Sequence, residues 1–139
     1  MTRTGEYLGT PRFIAPERVR GDAIDGRSDV FSLGALLYEL VCGTSPWTKE
    51  QERQLAAGVP LDVRPQPMGR FRRRVPPALE ALVQRALAPD PTDRPTAAEL
   101  AAELDALAPT LDDTPVRPLP AEFTDPDVTS VLPAVKWPA

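Results

Sequence analysis

The chain has 139 residues with 42% hydrophobic content, enough for one ordinary domain with its own core. A net charge of -4 and a pI of about 4.9 give no global attraction to nucleic acid or to an anionic membrane. With 0 His and 1 Cys there is no residue set for a zinc site or a Ser-His-Asp triad, and Cys42 has no partner for an intrachain disulfide, which suits a reducing compartment.

Residues 1–27 place glycine and proline at short intervals without a helical period, so they read as an ordered loop with at most short turns. Ser28 is placed to cap a helix over residues 28–42 whose first turn carries Asp29, a carboxylate suited to the positive end of the dipole. Apolar positions from Val30 to Val41 cover almost its whole circumference, which predicts a helix buried on all sides. Gly43 stops it, and Pro46-Trp47 forms a rigid apolar turn.

Thr48 with Gln51 has the spacing of a capping box and opens a short polar helix ending near Gly58. Residues 58–76, with Pro60, Pro65, Pro67 and Pro76, read as a long surface connection, and its run Arg70-Phe71-Arg72-Arg73-Arg74 as a solvated basic loop. Pro77 begins a second amphipathic helix through Leu79, Leu82, Val83 and Ala86-Leu87, ended by Pro89 and Pro91. Thr96 with Glu99 makes another capping box before Leu100, Leu104 and Leu107. Residues 109–139 hold 7 of the 18 prolines and read as a disordered tail. The expected division is therefore 1–27, 28–108 and 109–139. No apolar run approaches the roughly 20 residues of a membrane span, and no signal-peptide pattern follows Met1, so a cytoplasmic protein is expected.

Three motifs carry chemical information: Gly9-Thr10-Pro11-Arg12-Phe13-Ile14-Ala15-Pro16-Glu17, then Asp29-Val30-Phe31-Ser32-Leu33-Gly34, then Asp93-Arg94-Pro95. In this order, with helices between them, they resemble the C-terminal half of a Ser/Thr protein kinase domain, in detail that of the bacterial receptor-type kinases. The resemblance covers residues 1–108 and implies a mostly α fold, the helical C-terminal lobe. It also implies that Thr10 reaches the catalytic aspartate, and that Pro11, Arg12 and Phe13 form the wall met by the substrate residue after the phosphoacceptor. By the same resemblance Glu17 and Arg94 would form a buried ion pair, Asp29 would accept backbone N–H groups of the catalytic loop, and Thr2 and Thr4 would be activating phosphosites.

The rest of the kinase signature is not in this sequence. There is no GxGxxG; Lys49 and Lys136 are the only lysines, neither on a strand; and without histidine there is no His-Arg-Asp. The resemblance places those parts upstream of Met1, so catalysis, metal and cofactor residues are expected to be none in this chain, with ATP and Mg²⁺ bound by the complete parent. The implied partners are protein substrates or another kinase. An interaction module that binds a kinase or its substrate through residues 44–75 without catalysis is the rival reading, and Thr114, Thr124 and Thr129 are candidate phosphoacceptors.

Overall fold

The computed structural model describes residues 10–111. Within them the elements are helical: a 3-10 turn Pro11–Phe13, then α1 (Pro16–Arg20), α2 (Gly26–Cys42), α3 (Lys49–Ala56), a 3-10 turn Met68–Arg70, α4 (Pro77–Ala86), a 3-10 turn Pro91–Asp93, α5 (Ala97–Leu107) and a closing turn Ala108–Thr110. Thr2, Thr4 and the tail from residue 112, with its three threonines, lie outside the described residues.

α2 starts two residues earlier than its pattern predicts. Its cap is Asp25, whose carboxylate accepts from the Arg27 N–H at 2.8 Å, and Ser28 is instead drawn inside. Gly43 closes the helix in the left-handed region (φ 69°), its N–H donating to Glu39 O at 2.8 Å. α3 and α5 both open on complete capping boxes, Thr48 with Gln51 and Thr96 with Glu99. α4 starts with Pro77 in its first turn.

α2 is the axis of packing. Val30, Phe31, Ala35 and Tyr38 are buried, and Gly34 lets α4 approach so closely that a Cβ there would lie 2.8 Å from Ala86 Cβ. Tyr38, Met68, Leu82, Leu87 and Leu100 are the large enclosed side chains of the core. Met68, Leu82, Leu87 and Leu100 each contribute about 1.5–3 kcal/mol by leaving water.

The expectation that α2 is buried on every side is not met: Leu33, Leu36 and Leu40 are 41%, 44% and 64% exposed. At spacings of three and four they form one stripe, opposite the packed face. The connection 58–76 also differs from a surface loop, since Leu61, Pro65 and Met68 are buried and the Gln66 N–H donates to Pro46 O at 3.0 Å. Among the described residues no helix is long and apolar enough to cross a membrane.

Candidate functional site

The site grows from a short turn pinned at two carbonyls. Pro11 presets its first dihedral, and the Phe13 and Ile14 N–H groups donate to Thr10 O and Pro11 O, each at 3.1 Å. The Trp47 indole Nε1–H donates to Arg12 O at 3.0 Å, and the Ser32 hydroxyl donates to Phe13 O at 2.7 Å. Trp47 is itself held by stacking on Phe31, ring centroids 6.0 Å apart. The Arg12 guanidinium lies 5.1 Å from the Phe13 ring centre and pairs with Glu39 of α2.

Thr10 is exposed beside this turn, and a shallow recess of about 170 Å³ is lined by Thr10, Pro11, Arg12, Glu52 and Ala56. Burial raises the Glu52 carboxyl, but hydrogen bonds with Lys49 and Ser45 and the Arg12 charge outweigh it and hold the group below its ordinary range. The residues 10–13 thus present a fixed backbone edge with an apolar ring and flanking charges.

Next to it, α1 brings Glu17 onto Arg94 across 77 residues of sequence. Arg94 Nη1 and Nη2 donate to the two Glu17 oxygens at 2.6 and 2.9 Å, both side chains being almost wholly enclosed. Nε donates to Ala88 O, and the remaining N–H groups to Arg27 O and Pro89 O. Ser28 completes the cluster, donating to Glu17 Oε1 at 2.6 Å. Burial pushes the Glu17 carboxyl up; the hydrogen bonds from Arg94 and Ser28 overcome that and bring it down to about 2. The pair ties α1 to the turn before α5.

Asp29 stands on the first turn of α2, exposed, with Arg18 Nη2 at 3.0 Å. The backbone donors that the kinase resemblance assigns to it are outside the described residues. Trp47, Ser32, Glu39 and Ser28 make supporting contacts that the sequence pattern did not reveal. Three of them act on residues 11 to 35 positions away, and no local spacing marks such bonds.

Against this geometry, the protein kinase domain family matches residues 2–104, and the chain belongs to that family. It is 40% identical over 110 residues to the serine/threonine-protein kinase pkn3 of Myxococcus xanthus, an alignment covering 77% of this chain and 20% of that protein. It is also 40% identical over 107 residues to the serine/threonine-protein kinase PknB of Mycolicibacterium smegmatis, covering 75% and 17%, and 37% identical over 94 residues to PknD of Mycobacterium tuberculosis, covering 68% and 14%. The chain thus spans a fifth or less of the length of these relatives. Its helices are those of the kinase C-terminal lobe, of the bacterial Ser/Thr type.

Proposed function

We propose that Thr10, Pro11, Arg12 and Phe13 are the protein-substrate platform of a Ser/Thr kinase whose complete form transfers the ATP γ-phosphoryl group to Ser or Thr hydroxyls. The observation that carries this reading is the double anchoring of the platform carbonyls by Trp47 and Ser32, which fixes a backbone edge without occupying its outer face. Preorganised edges of this kind lower the ordering cost of an extended peptide. In this reading Thr10 faces the catalytic aspartate, Phe13 borders the residue after the phosphoacceptor, Glu17 and Arg94 hold the platform's exit, and Asp29 orients the catalytic loop.

The nucleotide and Mg²⁺ are assigned to other parts of the parent. Among the described residues no group of three or more His, Cys, Asp or Glu side chains could hold a metal ion. Within these residues the work is binding and positioning, and the chain by itself acts as a binding module for a protein substrate or another kinase.

The test is a phosphoryl-transfer assay on Ser/Thr peptides with Mg-ATP. The chain alone is expected to give no transfer, and the chain supplied in trans with the N-terminal portion of a related kinase to give it. Thr10→Ala and Trp47→Phe should then lower kcat/KM about tenfold or more, as loss of positioning does. Turnover by the chain alone, or indifference to both substitutions, overturns the assignment.

A further inference from the structure

The acids and bases of the surface are not evenly matched. Arg12, Arg18, Arg20, Arg53, Arg85 and Arg94 each pair with a carboxylate, and Arg27 donates to backbone carbonyls at the Pro91 turn. The connection between α3 and α4 departs from this pattern. It carries Arg64, Arg70, Arg72, Arg73 and Arg74, and no Asp or Glu occurs from residue 63 to residue 79.

The acids that bracket it are already engaged. Asp62 pairs with Arg20 of α1, and Glu80 accepts the Met68 N–H at 2.8 Å. The loop is nevertheless built rather than loose. Pro65 and Met68 are buried, the Arg72 N–H donates to Met68 O at 3.0 Å, and Arg72 Nη1 donates to Val41 O at the end of α2. Arg74 holds the left-handed region (φ 64°) although it is not glycine. Arg64, Arg70, Arg73 and Arg74 stand exposed on this frame, with Phe71, 40% exposed, under the Arg70 guanidinium at 5.8 Å.

We propose that residues 64–74 form a docking surface for a short acidic segment of a partner protein. Guanidinium forks match carboxylates two bonds at a time, and a loop whose backbone is already held loses less freedom on binding than a mobile one. Phe71 supplies the apolar contact that distinguishes a peptide from counter-ions. The size of the ligand follows from charge. The whole chain is at -4, and fields fade over about 8 Å at physiological salt, so a long polyanion meets repulsion outside the patch while a short segment stays within it. This surface is independent of phosphoryl transfer.

The test uses the 139-residue chain and a fluorescent twelve-residue peptide rich in Asp and Glu, with its Asn/Gln counterpart as control. The acidic peptide is expected to bind saturably and more weakly as salt rises, and the neutral one not to bind. Arg64→Glu/Arg73→Glu, on exposed side chains, should weaken binding at least tenfold with Tm unchanged, and Phe71→Ala several-fold. Arg18→Glu, a change of two charge units where the double variant makes four, falls on α1 at a residue paired with Asp29 and outside residues 64–74, and should leave binding intact. Should the double variant melt early, Arg73→Gln alone, expected to weaken binding severalfold, replaces it. Absence of binding, equal binding of the neutral peptide, equal loss with Arg18→Glu, or tighter binding of a single-stranded RNA of the same charge overturns the proposal.

Discussion

All five N–H groups of Arg94 have acceptors, and its face lies over the Phe31 ring at 4.9 Å, so its charge is enclosed without an unmet donor. Removing either partner leaves the other charge buried and alone. Glu17→Ala and Arg94→Ala should each cost about 3–5 kcal/mol in chemical denaturation, and the double variant less than their sum. Additive effects below 1 kcal/mol would show the pair to be solvated. A pH effect follows as well. The Glu17 carboxyl titrates at about 2 in the folded chain instead of its ordinary 4.5, so the pair's contribution is complete above about 4.5 and is lost as pH falls towards 2. Thermal melts across that window should fall more steeply for the natural chain than for Glu17→Gln, which has no proton to take up.

At the scale of elements, Gly34 of α2 faces Ala86 of α4 and Leu87 just after it with no room for a side chain. In an isolated helix, alanine at this position would be favoured by about 1 kcal/mol. Here its methyl group would press on Ala86 Cβ at 2.8 Å, so Gly34→Ala should destabilise by about 1–3 kcal/mol. A stabilised variant would mean that the two helices separate freely. Such contacts explain what the sequence could and could not disclose. The caps Thr48 with Gln51 and Thr96 with Glu99 were legible because donor and acceptor sit three residues apart. Asp25 was hidden by Gly26, since Asp-Gly reads as a turn and the true start of α2 depends on Ser28 being claimed by Glu17. The depth of Leu61 and Met68 was hidden by the prolines around them, which mark a break in helix but say nothing of burial. The motif order identified the family, whereas the supports of the turn at 10–13, Trp47 above all, act at separations that no periodicity records.

For the whole molecule, the stripe Leu33, Leu36 and Leu40 is apolar surface left in water on the central helix, and beside it Val30, Leu100 and Leu104 line a recess of about 280 Å³. Contiguous patches of this sort drive association. The chain should bind a hydrophobic dye and show concentration-dependent mass in sedimentation. Leu36→Glu/Leu40→Glu should suppress both while leaving the melting midpoint within about 2 °C, since these side chains add little to the core. A monomeric, dye-silent natural chain would show that the stripe is covered in solution.

Trp47 makes the turn at 10–13 observable by light. Its indole is enclosed, stacked on Phe31 and bonded to the backbone of Arg12, so unseating the turn at 10–13 must change the polarity around the ring. The other tryptophan of the chain, Trp137, can be silenced as Trp137→Phe. Emission from the remaining indole then reports, without any label, whether a peptide added to the chain leaves that turn seated or lifts it.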